Sequence, residues 1–415
     1  MTCACPRTVL LAVLCGAALT SSLAAGPLTP PVGAVTSSFK TLSEVEPRIA
    51  INATNTPGDA DSVFRITQPG SYYLTGSVTG QAGKKGIELA ASGVTIDLNG
   101  FELVGVPTSL CGIERMLDTG GTIVIRNGGI RGWGLDGIRA FGQQGVTVES
   151  VQAFANAGSG IAVGNGAIVR HSTAIGNVVY GIRAGDTCVV EGCTAVSNTN
   201  VGILAAQGSI VRGCASKSNG SNGIEVGQNS TVVSCTVRFN AGIGLSLMDG
   251  SVASGCTTFA NSGNGIEMRH GGKIMQCASE DNGGHGIAVS SDAVVEGCNS
   301  SGNIGSGIVA ASNCTIVGNT STWNGKDAGD GAGIATTGVR NRIEGNACAY
   351  NDRGIDVAVT GSFIARNRCG SNTKNWQIAS GNICLVVIGT SAPAINGNSG
   401  GVAPGSTDPN ANFTF

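Results

Sequence analysis

Residues 265–285 read GIEMRHGGKIMQCASEDNGGH and residues 286–306 read GIAVSSDAVVEGCNSSGNIGS. Laid one above the other, these 21-residue stretches share an opening Gly-Ile, an aliphatic residue nine places after the glycine (Ile274, Val295), then a cysteine (Cys277, Cys298) and an asparagine (Asn282, Asn303). Working outward, Gly-Ile (once Gly-Leu) begins at Gly86, Gly112, Gly137, Gly160, Gly181, Gly202, Gly223, Gly244, Gly265, Gly286, Gly307, Gly333 and Gly354. From Gly160 to Gly307 every interval is 21 residues; the next is 26 and the last is again 21. A fixed short period over most of a chain replaces the usual expectation of two or three globular domains with a single stacked array.

Side chains alternate between the faces of a strand, so the repeated columns show which residues face inward. One place after the glycine stand Ile161, Ile182, Ile203, Ile224, Leu245, Ile266, Ile287 and Ile308; nine places after it stand Val169, Val190, Val211, Val232, Ala253, Ile274, Val295 and Ile316. Residues such as Arg170, Arg183, Glu225 and Glu267 flank these columns and are read as facing out. Two or three strands of three to five residues per repeat, separated by Gly, Ser and Asn, cannot bury an apolar face alone and must stack on their copies. No 3.6-residue periodicity runs through the repeats, and 67 glycines oppose helix. The expected fold is all-β: a parallel β-helix of about thirteen coils, spanning residues 86–375.

Residues 26–85, with Val63-Phe64-Arg65-Ile66 and Tyr72-Tyr73-Leu74 on either side of Gln68-Pro69-Gly70, are expected to form a strand-turn-strand cap; residues 376–415 are expected to form the opposite cap and a tail. An open end would expose strand edges and apolar interior. Arg7, the apolar run Thr8–Leu19 and the small residues up to Ala25 have the layout of a signal peptide over residues 1–25. That run is too short for a lasting anchor, so the mature chain is expected to carry no transmembrane segment and to be secreted, periplasmic or on the cell surface. With 24 basic against 26 acidic residues and no single-sign run, no footprint for nucleic acid is present.

Asn156, Asn177, Asn198, Asn219, Asn240, Asn261, Asn282, Asn303, Asn324, Asn351 and Asn372 fall at one equivalent corner. Asn tolerates left-handed backbone, and stacked amides can bond to their copies. A second column holds Cys193, Cys214, Cys235, Cys256, Cys277 and Cys298, continued by Asn319, Asn346 and Asn367. Export invites disulfides, but parallel Cβ vectors in stacked coils favour a reduced, buried ladder.

The stretch Val94-Thr95-Ile96-Asp97-Leu98-Asn99-Gly100, the similar Ile123–Ile130, and the Gly-Ile and Asn columns resemble the pectate-lyase-like superfamily of right-handed parallel β-helices. The resemblance covers residues 70 to 385 and implies a right-handed solenoid. It leaves function open, since one scaffold carries many activities. His285, in Gly283-Gly284-His285-Gly286, resembles the Gly-His-Gly element of polygalacturonases, but the coil before it offers Gly263-Asn264 where those enzymes have paired aspartates. The same place in other coils holds Asp136, Ser159, Tyr180, Asn222 or Arg353, and is read as variable and exposed.

The regular period is broken by five extra residues after Asn324, in Gly325-Lys326-Asp327-Ala328-Gly329-Asp330-Gly331-Ala332. Loops that interrupt a scaffold are where function tends to lie. Asp281, His285, Asp327, Asp330 and Arg353, with Asp356 nearby, are therefore the catalytic candidates, and Asp327 and Asp330 are the carboxylates that would take Ca²⁺. Glu267, Arg269 and His270 form a smaller polar patch. The favoured function is a non-catalytic glycan-binding or structural protein of the cell exterior whose partner is a polysaccharide or another envelope component. The alternative is a lyase, hydrolase or epimerase of uronate-containing polysaccharides. Against a binding face stands the scarcity of aromatic platforms, with Trp133, Trp323 and Trp376 the three tryptophans.

Overall fold

A computed structural model of the chain describes residues 46–115, 121–141, 145–326, 330–384, 386–388, 396–397 and 410–415. The segment assigned to a signal peptide, and Asp327, lie outside the described residues. From Arg48 onward the described chain is one unit. It contains strands and no helix among the described residues.

The repeats wind into a right-handed parallel β-helix. Each regular coil contributes one strand to a 16-stranded parallel sheet and two to a larger sheet. In one coil these are Ile161–Val163, Ile168–Arg170 and Thr173–Ile175. They pair in register with Ile182–Ala184, Val189–Glu191 and Thr194–Val196 of the next. Both aliphatic columns point inward, and every member from Ile161 to Ile308 and from Val169 to Ile316 is fully buried. The repeated glycine is a packing requirement: a Cβ at Gly286 would stand 1.9 Å from Ser300 Oγ and 2.7 Å from both Asn303 Nδ2 and the Gly307 carbonyl.

The stack is longer than the Gly-Ile count implies, about fifteen coils instead of thirteen. The difference lies at both ends: at the N-terminal one, Ser62–Ile66 pairs in parallel with Lys85–Leu89, and Gly70–Tyr73 pairs in parallel with Val94–Asp97. These strands do not pair with each other; they are a coil without the Gly-Ile signature. At the other end Lys374–Ile378 still continues the sheet from Arg353–Val357, and Asn412–Thr414 pairs with Arg368–Gly370.

The asparagine corner is a continuous ladder. In each coil the amide Nδ2 and the backbone N–H donate to the Oδ1 of the next asparagine, as from Asn282 to Asn303 and from Asn303 to Asn324, at 2.9–3.2 Å. The preceding residue has positive φ, as at Phe239, Asp281, Trp323 and Tyr350, so its side chain stands clear of the sheet. The cysteine column does the same work at a second corner: the Cys256 N–H donates to Cys277 Sγ, and the Cys298 N–H to Asn319 Oδ1. The ladder then runs through Asn346, Asn367 and Asn412. The twelve described cysteines are free and buried. Burial pushes the Cys111 thiol up to about 11 and Cys384 up to about 12, which makes them poor nucleophiles near neutral pH.

Candidate functional site

The corner that carries the asparagine ladder also carries the inserted loop. The coil there is six residues longer than the regular ones, because Asn324 bonds to Asn351 across 27 positions. Five of the six fall between Asn324 and Gly333. The sixth falls in the turn before Asn341, since Ala310 pairs with Thr336 26 positions on, while the Cys314 N–H bonds to Asn341 Oδ1 across 27.

Immediately before the two ladder asparagines stand Trp323 and Tyr350. Positive φ at both directs their rings outward from adjacent coils, where they stack with centroids 4.4 Å apart and planes 6° from parallel. They are 59% and 51% exposed, an unusual position for two large rings and a contrast with Trp133 and Trp376, which are buried in the core. One coil earlier the same corner place is Gly302, which presents no side chain above the indole. Here a cleft of about 460 Å³ opens, lined by Asp281, Gly302, Trp323, Lys326, Tyr350 and Asp352 among others. Lys326 Nζ lies 3.5 Å from Asp281 Oδ1. Asp352 Oδ2 accepts the Gly331 N–H at 3.0 Å and so ties down the end of the loop. An aromatic floor with a few convergent charged groups is the common chemistry of small-ligand sites.

The candidates from sequence do not form one cluster. Asp281 belongs to the cleft. Asp330 and Arg353 meet in an ion pair, and Arg353 Nε lies 2.8 Å from Asp356 Oδ2. Burial raises the Asp356 carboxyl above its usual value, against the lowering effect of Arg353. His285 stands apart. In the pre-glycine column it is followed by Ser306, Ala332 and Arg353, so three coils, ~14 Å by strand spacing, separate it from Arg353.

The expectation that this column is merely exposed and variable does not hold for His285. Its Nδ1 accepts the Ser306 N–H at 3.0 Å, and its own N–H donates to Asn264 Oδ1 at 2.8 Å. Asp136 and Asn222 accept from the next coil in the same way. Half-burial lowers the imidazole pKa, opposed by Glu267. With Nδ1 committed as acceptor, the neutral ring carries its proton on Nε2. Of the smaller patch, Glu267 is held by Asn264 Nδ2 at 2.8 Å, and Arg269 and His270 are exposed.

Among the described residues no three His, Cys, Asp or Glu side chains gather closely enough to hold a metal ion. Of the cleft residues, Lys326 enters the sequence reading only as part of the inserted loop and Trp323 only as one of three tryptophans, and Tyr350 and Asp352 do not enter it. The available signal was an aromatic residue directly before a ladder asparagine, in Trp323-Asn324 and Tyr350-Asn351.

A family model described as "Right handed beta helix region" matches residues 182–275. That match and the observed winding agree with the fold expected from the pectate-lyase-like resemblance. No curated protein sequence matches the chain. Among solved structures, the Azotobacter vinelandii mannuronan C-5 epimerase AlgE4 A-module is 14% identical, with a TM-score of 0.48 over 76% of this chain and 90% of that one. The receptor-binding domain of the siphovirus 9NA tailspike is 13% identical, with a TM-score of 0.40 over 88% and 80%. The periplasmic alginate epimerase AlgG is 11% identical, with a TM-score of 0.36 over 75% and 79%. These likenesses are loose, and neither ligand nor reaction follows from them. No helix among the described residues is long and apolar enough to cross a membrane.

Proposed function

We propose that the protein is an exported, non-catalytic glycan-binding β-helix, and that the Trp323 cleft seats a sugar ring. The observation that carries this is the exposed Trp323–Tyr350 stack beside the open place at Gly302. Aromatic rings supply apolar area with only two side-chain torsions to fix. The C–H face of a pyranose can lie on the indole while its hydroxyls reach Asp281, Lys326 and Asp352. The stack keeps the indole face presented before ligand arrives, which lowers the ordering cost of binding.

The enzymatic alternative rests on Arg353 between Asp330 and Asp356, where a carboxyl with raised pKa adjoins a fixed cation. One experiment weighs both. A panel of neutral and uronate-containing oligosaccharides, with and without Ca²⁺, is tested by calorimetry for binding and by chromatography for turnover. Binding without product, weakened about tenfold or more by Trp323→Ala at unchanged Tm, is the expected result. Product formation abolished by Asp356→Asn would move the protein to the enzyme class. Binding indifferent to Trp323→Ala would remove the cleft from consideration.

A further inference from the structure

Five and four coils before Trp323, on the same corner, Lys217 and Arg238 occupy directly paired positions on adjacent parallel strands. Both are exposed. Like charges at such a place repel each other, whereas two neighbouring cations of this solenoid have an acid at the paired position. Arg170 faces Glu149 at 3.0 Å and Arg212 faces Glu191 at 2.9 Å. Neither Lys217 nor Arg238 is in an ion pair among the described residues. The next residues of their column are Phe259 and then Glu280, so the nearest carboxylates at this corner, Glu280 and Asp281, lie two coils beyond Arg238. Asp281 is itself engaged by Lys326.

The two cations are framed by a second aromatic pair. Phe239 and Phe259 meet edge to face with centroids 5.5 Å apart, and Lys217 Nζ lies 6.0 Å from the Phe239 centroid. Phe239 is 46% exposed and has the same corner conformation as Trp323, with φ +57°. The corner thus presents an aromatic platform twice: once beside two unneutralised cations, and once, four coils or ~19 Å further along the axis, in the Trp323 cleft.

We propose that Lys217, Arg238, Phe239 and Phe259 form a second subsite, which takes the carboxylate or sulfate of an acidic linear polysaccharide running along this corner to the Trp323 cleft. The charge of the partner is set by the missing counter-charge at 217 and 238, and its length by the axial separation of the platforms, which exceeds one sugar ring. This inference rests on the glycan-binding reading and adds to it the sign of the ligand and the direction in which it lies.

The test uses the full chain and two long probes of matched size, an oligogalacturonate and a neutral cello-oligosaccharide, titrated calorimetrically at low and high NaCl. The acidic probe is expected to bind more tightly and to weaken as salt rises, because exposed charges are screened over ~10 Å at 0.1 M. The double variant Lys217→Ala/Arg238→Ala should lose about tenfold in affinity for the acidic probe and little for the neutral one. Trp323→Ala should weaken both, and a one-ring galacturonate should bind far more weakly than the oligomer. The three substituted residues are exposed, and unchanged thermal melting verifies that the variants fold. Equal, salt-independent affinity for the two probes, still sensitive to Trp323→Ala, would overturn this inference and leave the glycan-binding reading standing. Binding of neither probe would overturn both.

Discussion

His285 shows how a residue with catalytic chemistry can be consumed by the scaffold. Its Nδ1 does what the Asn264 oxygen does one coil earlier, accepting a turn N–H from the following coil. Protonation would remove that acceptor, and burial holds the folded-state pKa below the usual value near 6.5. Below pH ~6.5 the unfolded chain therefore binds more protons than the folded one, and stability falls as pH drops. Above that range the contribution is fully present. His285→Asn should keep the Tm at pH 7 within a few degrees, because an amide oxygen replaces Nδ1, and should flatten the fall in Tm between pH 7 and 5. Melting curves across that range check it; a variant with an unchanged pH slope would mean the imidazole does not report this bond.

The unit above the residue is the coil, and the corner ladders hold its turns. Asn303 is buried within the ladder that runs from Asn156 to Asn372. It accepts two bonds from Asn282 and donates to Asn324 Oδ1, the Ser279 carbonyl and Ser300 Oγ. Asn303→Ala strips acceptors from the buried Asn282 amide and N–H, at a cost of about 3 kcal/mol. Cys256→Ser, at the second corner, should cost no more than about 1 kcal/mol. A hydroxyl already fills that column at Ser172, whose Oγ accepts the Val151 N–H. Urea denaturation of the two variants should separate them clearly; equal losses would show that the ladders do not differ in what they satisfy.

For the whole molecule the critical places are the ends, where a stack of identical edges would otherwise continue. The C-terminal strand supplies the last rung: Asn412 accepts from Asn367, Thr414 Oγ1 accepts from Asn375 Nδ2, and Phe415 covers the place where a Cβ on Gly370 would stand. Deleting residues 410–415 uncovers the Arg368–Gly370 edge and leaves buried amides without acceptors. The truncated protein should melt several degrees lower and form larger species in light scattering, as unpaired edges associate. A monodisperse truncation with unchanged melting would show that this strand closes nothing.

Much of this was legible in the one-dimensional pattern. The period of 21, the inward aliphatic columns and the asparagine corner follow from the sequence because a solenoid repeats one local environment, so column arithmetic replaces long-range folding. That arithmetic failed where the repeat was irregular. Ser62–Ile66 lacks the Gly-Ile mark, so the pattern reads it as a cap, although backbone pairing makes it a coil. Asp281, His285 and Arg353 are all candidates by residue type and nearness to the insertion, yet they are divided between a cleft, a turn bond and an ion pair. Only tertiary structure brought Trp323 against Tyr350, because the six extra residues of that coil hide their equivalence at 27 positions. Positive backbone φ, which column counting does not see, turned both rings outward. Sequence periodicity determines which residues share a row, while the dihedrals at each corner and the path of the inserted loop decide which of them face a ligand.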